Sequence, residues 1–275
     1  MHSGCALSLV SLPMRAPIYK LDAFTTRRFA GNPAAVVVLQ GFPDERAMQA
    51  IAAENNLPET AFIVRDGVDY LLRWCTPVIE VPFCGHATLA SAAVVLNHLE
   101  RERSEVVFHT KSGPLIVSRK NTGYSMDFPA RKLKPLAIPS SLAAALGTAP
   151  LELYVDDLNN LLALLDDPRR VRTLTPNLAL IAKLECSGVI VTAHGDEGYD
   201  FISRYFAPAK GIPEDPVTGG AHCALTPFWA QRLGRSELRA YQASARGGDM
   251  HCRLVGERVV LEGDCVFYLE GQIEF

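Results

Sequence analysis

Apolar positions fall in short blocks separated by turn residues, the pattern of a strand-rich chain. IYKLDAF (18–24) and AAVVVL (34–39) predict two strands joined through a turn at Gly31-Asn32-Pro33. Asp44 can cap a helix running to Asn55, with Ala47, Met48, Ile51 and Ala52 on one face. TAFIV (60–64), DYLLRWC (69–75) and VIEVPF (78–83) read as further strands. Gly85 then opens HATLASAAVVLNHL, whose Ala and Leu content favours helix. It is apolar nearly all round, so it belongs inside the protein rather than on its surface. Strands at 105–110, 114–118 and 124–128 follow.

Pro129 to Pro139 is rich in Lys and Pro and reads as a linker. The plan then repeats. Strands near 151–156, 160–165, 187–193 and 198–205 lead to Gly219-Gly220, and AHCALTPFWAQRLG (221–234) reads as a second apolar helix ended by Gly234. Strands near 238–243, 250–255, 258–262 and 265–270 close the chain. The halves share an order of elements but little direct identity. The expected fold is α+β, with two similar lobes, each a β-barrel-like sheet wrapped around a central helix. The expected bounds are 15–130 for the first lobe (central helix 85–99) and 131–262 for the second (central helix 219–234). Residues 263–275 return to the first lobe, and the ligand site lies in the cleft between lobes.

Composition narrows the classes. Of 275 residues, 48% are hydrophobic and 21% charged, and 27 basic against 30 acidic side chains give a net charge of −3. That balance supplies no drive toward nucleic acid or an anionic membrane, and no apolar run is long enough for a membrane span. The seven cysteines are odd in number and contain no C-x-x-C, which argues against a zinc ribbon or a thioredoxin-type site. The first residues have no basic charge ahead of their short apolar stretch, so no secretory signal is expected. The expectation is a reduced, cytoplasmic protein, with Met14 as a candidate start.

The chemistry has to come from a few positions. A helix amino terminus offers unpaired N–H groups and partial positive charge, and glycine lets a carboxylate approach them. Gly85 and Gly220 stand at such termini, and two termini facing each other across a cleft can hold a carboxylate and an enolate-like oxyanion. Glu59 opens an apolar strand, where a carboxylate suits general base and acid work near neutral pH. Asp215 lies just before the second glycine step. His86 and His222 occupy first-turn positions, where the helix terminus favours neutral imidazole. Cys84 precedes Gly85 and Cys223 follows His222, which leaves a two-thiol racemase open. Singly, each of these residues is as readily a cap, a turn or a core residue; their combination carries the reading. Cys84/His86 and His222/Cys223 lack zinc-ligand spacing, so no metal is expected. G-x-S-x-G, G-x-x-x-x-G-K-[ST] and G-x-G-x-x-G are all absent.

Several segments run in the order of a known family: LDAFTTRRFAGNPAAVVVL (21–39), IAAENNLPETAFIV (51–64), LRWCTPVIEVPFCGHATLASA (72–92), DFISRYFAPAKGIPEDPVTGGAHCAL (200–225) and QASARGGDM (242–250). The chain resembles the PhzF-like isomerases of phenazine biosynthesis, which share the diaminopimelate epimerase fold. The resemblance implies a cofactor-free proton shift on a small carboxylate substrate such as a dihydro-hydroxyanthranilate-like compound, in a homodimer. Glu59 matches the family's catalytic carboxylate. Gly85, His86 and Asp215 match positions that orient substrate, and Gly219 and Gly220 supply backbone donors. One departure is TGGAH where most relatives read TGSAH, so Gly220 lacks a hydroxyl. In the diaminopimelate and proline relatives two cysteines move the proton; Cys84 takes the first place, but the second falls near Pro216, not on Cys223. The rival expectations are a racemase or epimerase based on Cys84 and a non-catalytic carboxylate-binding protein.

Overall fold

The computed structural model describes residues 14–275, so the reading of the stretch before Met14 lies outside the described residues. The first half lays down β1 (Arg15–Ala23), β2 (Asn32–Leu39), α1 (Glu45–Asn55), β3 (Glu59–Asp66), β4 (Asp69–Cys75), β5 (Glu80–Val81), α2 (Gly85–Val94), β6 (Glu105–Thr110), β7 (Gly113–Arg119) and β8 (Tyr124–Pro129). The second lays down β9 (Leu133–Leu136), α3 (Ser140–Leu146), β10 (Glu152–Asp156), β11 (Asn160–Leu164), α4 (Pro168–Thr173) and α5 (Leu178–Ile181). It continues through β12 (Gly188–His194), β13 (Phe201–Ala207), β14 (Ile212–Asp215), α6 (Gly219–Leu233), β15 (Glu237–Gln242), β16 (Gly248–Val255) and β17 (Arg258–Gly263). The last strand, β18 (Cys265–Glu274), pairs with β1.

Strand order exposes a repeat that residue identity hides. Neighbours run β18-β1-β2-β3-β4-β6-β7-β8 in one lobe and β9-β10-β11-β12-β13-β15-β16-β17 in the other. Each series reads antiparallel, antiparallel, parallel, antiparallel, parallel, antiparallel, antiparallel. In each, a short strand hooks onto the sheet and leads into the buried helix: β5 on β4 before α2, and β14 on β13 before α6. The lobes join where β8 pairs with β17. The α+β two-lobed architecture is therefore what the chain adopts.

The strands are covered on both faces, which is why several read as continuous apolar runs. Ala34 and Val36 of β2, with Ala61 and Ile63 of β3, face the inner core around α2. Their neighbours Ala35, Val37, Phe62 and Val64 face outward, under Met48, Ile51 and Ala52 of α1. On the second lobe Val189 and Val191 face outward beneath α3, α4 and α5.

The differences from the expected pattern have local causes. The strand expected at 78–83 shrinks to Glu80–Val81, since Pro77 and Pro82 bracket it and cannot donate to a ladder. The stretch read as a linker contains β9, a largely exposed strand that pairs antiparallel with β10 and has no apolar alternation to mark it. After Val94 the apolar run widens into one π-helical turn, Val95–Leu99. Pro227 sits inside α6 and has no N–H for the carbonyl four residues earlier. That carbonyl, on Cys223, instead accepts the backbone N–H of Arg131 at 2.9 Å.

Candidate active site

The two central helices begin against each other. A Cβ added at Gly85 would lie 3.8 Å from Gly219 Cα, and one at Gly219 would lie 3.9 Å from Gly85 Cα. Both are ordinary van der Waals distances, so the two termini approach backbone to backbone. Neither helix has an acidic residue in its first turn, and neither cap residue, Cys84 or Thr218, uses its side chain to bond the helix N–H groups. These donors therefore remain available to a ligand.

Glu59 reaches this place through a short chain of local causes. Helix α1 ends at Asn56 in the left-handed region, Pro58 blocks further helix, and Glu59 opens β3 in register with Ala34 of β2. Its Oε2 lies 3.1 Å from His86 Nε2, both nearly enclosed. The contact is too bent for a directed hydrogen bond, and neither atom has another partner.

Asn32 ties this pair to the second lobe. Its Nδ2 donates to Asp215 Oδ1 at 2.7 Å and to the Val217 carbonyl at 2.9 Å, and it lies 3.1 Å from His86 Nδ1. Both amide protons are used by the two oxygens, so Cys84 Sγ, 3.5 Å away, is the partner left for an Nδ1 proton. Asp215 also accepts from the Thr218 hydroxyl at 2.6 Å. Gln242, fully buried, accepts from Thr218 N at 2.8 Å and donates to the Asp215 carbonyl at 2.7 Å, fixing the loop between β14 and α6.

Burial dominates the electrostatics. It lifts the Asp215 carboxyl from 3.8 to about 6; the Glu59 charge adds to the rise, while His86 and the bonds from Thr218 and Asn32 oppose it. Burial alone would depress the His86 imidazolium, but the Cys84 sulfur and the Glu59 carboxylate beside it carry its pKa well above 6.5. This corrects the expectation of a neutral His86. His222 does remain neutral, pushed down to about 4 by burial. Burial, reinforced by Glu59, raises the Cys84 thiol.

Glu59, Gly85, His86, Asp215, Gly219 and Gly220 all line one cavity of about 340 Å³ between the lobes, and Cys84 borders it. That is small-ligand size. His222 and Cys223 do not line it: Nδ1 of His222 binds the Thr218 carbonyl at 2.9 Å, and Cys223 packs into the core. The cysteine place in the first lobe, the cap of α2, is matched in the second by Thr218, the cap of α6, two residues beyond Pro216. Asn32, Thr218 and Gln242 went unread in the sequence. Asn32 looked like turn chemistry beside Gly31 and Pro33, and Gln242 had no local signal.

Cys84, His86 and Glu59 bring one potential ligand atom each within 4.8 Å of one another, a grouping that residue spacing does not reveal. Cys84 meets Nδ1 and Glu59 meets Nε2 of the same ring.

Two β-rich lobes around facing helix termini, with carboxylates at the junction, make up an epimerase-like fold. A hydroxyproline epimerase from Agrobacterium vitis shares this fold at 10% identity, with a TM-score of 0.62 over 95% of this chain and 93% of that one. Residues 21–271 match the PhzC-PhzF family, described as phenazine biosynthesis-like protein, and the chain belongs to that family. A PhzF-family crystal structure from Enterococcus faecalis is 43% identical, with a TM-score of 0.91 over 94% of this chain and 99% of the other. A protein from Pseudomonas aeruginosa named as an uncharacterized isomerase is 47% identical over 261 residues, 94% of this chain and 99% of its own. Among the described residues no helix is long and apolar enough to cross a membrane.

Proposed function

We propose that this isomerase moves a proton between two carbons of a small carboxylate, without a cofactor, using Glu59 as its single base and acid. The observation that carries the reading is the placement of Glu59 beside His86, in the same cavity as two uncapped helix termini. Glu59 takes the proton from a carbon next to an unsaturated or carbonyl group. The electron pair passes into that group as an enolate-like oxyanion, held by N–H groups at Gly85, Gly219 and Gly220. The protonated Glu59 then returns the proton to another carbon on the same face, and the double bond shifts.

His86 and Asp215 position the substrate, and Asn32 holds them together. The raised thiol of Cys84 stays protonated at neutral pH, which disfavours it as the base. Thr218 supplies no second thiol, and its hydroxyl is already held by Asp215.

Incubation in D₂O with a dihydro-hydroxyanthranilate and a panel of small unsaturated acids, followed by NMR, tests the proposal. The double bond of one substrate should migrate, with deuterium entering at the carbon that gains the proton to the extent that protonated Glu59 exchanges with solvent before it returns the proton. Glu59→Gln should lower kcat by about 10²–10⁴-fold, the range for a lost general base, with little change in KM. Full turnover by Glu59→Gln would sink the assignment.

A further inference from the structure

Asp215 is bonded by Asn32 and Thr218, whereas the cations of the cavity are only loosely held. Arg131 and Lys210 both line it. The Arg131 backbone is fixed by the Cys223 carbonyl that Pro227 leaves free. Its Nε is buried with no hydrogen-bond partner, and its one ion-pair contact is Asp157 at 3.6 Å, itself half exposed. Lys210 ends the short turn Pro208–Lys210 and has no ion pair among the described residues. A buried guanidinium nitrogen without an acceptor is costly unless something else fills the role. Arg131 also borders a second hollow, but the other cation there, Arg232, is already taken by Glu152.

We infer that Arg131 and Lys210 form a second anion subsite and that the substrate is a dicarboxylate. This rests on the proposed function, in which the helix termini hold the first carboxylate. The second carboxylate enters from the second-lobe side, where Asn160, Ser187 and Tyr205 also line the cavity. Arg131 gives the planar, two-pronged recognition that suits a carboxylate, and Lys210 adds a point charge at the mouth.

Isothermal titration of the full-length protein with matched probes tests the subsite: benzoate against isophthalate, and butyrate against glutarate. The dicarboxylates should bind at least about tenfold more tightly than their monoacid partners, a difference of about 1.4 kcal/mol. Arg131→Met together with Lys210→Met should erase the preference and leave monoacid affinity unchanged. Arg131→Lys should keep part of it, and thermal melts of each variant check that the fold persists. Equal affinity for mono- and dicarboxylates in the unaltered protein overturns the inference, as does a preference that survives in the double variant or no binding of any dicarboxylate. Solvent deuterium exchange lost in Glu59→Gln stands apart from these results. If it is observed while the preference is absent, the proton-shift reading survives and the dicarboxylate inference alone fails.

Discussion

Asp215 sets a conflict between folding and chemistry. Because its folded pKa is about 6 against an ordinary 3.8, its contribution to stability is full below about pH 4 and is lost as pH rises through 6. At neutral pH the buried carboxylate is a burden on the fold. Asp215→Asn keeps the shape and an acceptor for Asn32, so thermal melts should show a higher Tm at pH 7.5 and little change at pH 4. Activity should fall in the same variant, because the substrate loses a charged partner, and an acidic limb near pH 6 in kcat/KM should disappear. An unchanged pH–stability profile would remove this account. Gly220 offers a converse case. A Cβ there meets open space, so Gly220→Ser, which adds a hydroxyl at the start of α6, should leave Tm within about 1 °C, as surface-like changes do. Its effect should appear in KM and in substrate preference across a panel of acids.

At the level of elements, the turn before β2 decides where Asn32 goes. Gly31 has φ +64°, and a Cβ on it would stand 2.2 Å from the Ala23 carbonyl oxygen. Arg246, from the segment after β15, bonds the carbonyls of Ala30 and Gly31 at 3.0 and 2.8 Å and pairs with the buried Asp22 at 2.7 Å. The second lobe thus clamps a first-lobe turn. Gly31→Ala should cost at least about 1–3 kcal/mol in urea unfolding, from backbone conformation and clash together. Arg246→Met should lower kcat through a displaced Asn32, while Arg246→Lys rescues it in part; a wild-type kcat in Arg246→Met would show that the clamp does not position the site. Local pattern revealed the central helices and most strands, and it marked Glu59, Gly85, His86 and Asp215 as candidates, because each sits at an element boundary with its own turn or cap signal. It did not reveal α3, α4 or α5, which are too short to develop helical periodicity and are held by the sheet beneath them. Nor did it reveal Arg131, whose role depends on a carbonyl freed by a proline almost a hundred positions away.

At the scale of the whole molecule, the duplication suggests two units, whereas the packing makes one. The shared order of elements is visible in the sequence, but the interlock is not, because it lies in long-range pairing. Strand β18 crosses back to β1, β8 pairs with β17, and a single apolar core contains Leu72 and Leu89 of the first lobe with Leu225 and Leu261 of the second. Neither lobe can lose its packing without exposing the other, so both should unfold in one transition. The chain carries its own reporters, with Trp74 in β4 and Trp229 in α6 as its only two tryptophans. Trp74→Phe removes an indole N–H that has no partner. Trp229→Phe removes a donor to Thr192 Oγ1, whose own bond to the Ile202 carbonyl remains. Each variant leaves one indole reporting on one lobe. Equilibrium urea curves from fluorescence and far-UV circular dichroism should coincide within each variant, with one midpoint for both signals. Tryptophan signals that ran ahead of the circular dichroism in one variant and behind it in the other would mean that the lobes unfold separately. The cleft would then join two independent bodies rather than sit within one core, and the facing termini at Gly85 and Gly219 would lose their fixed geometry.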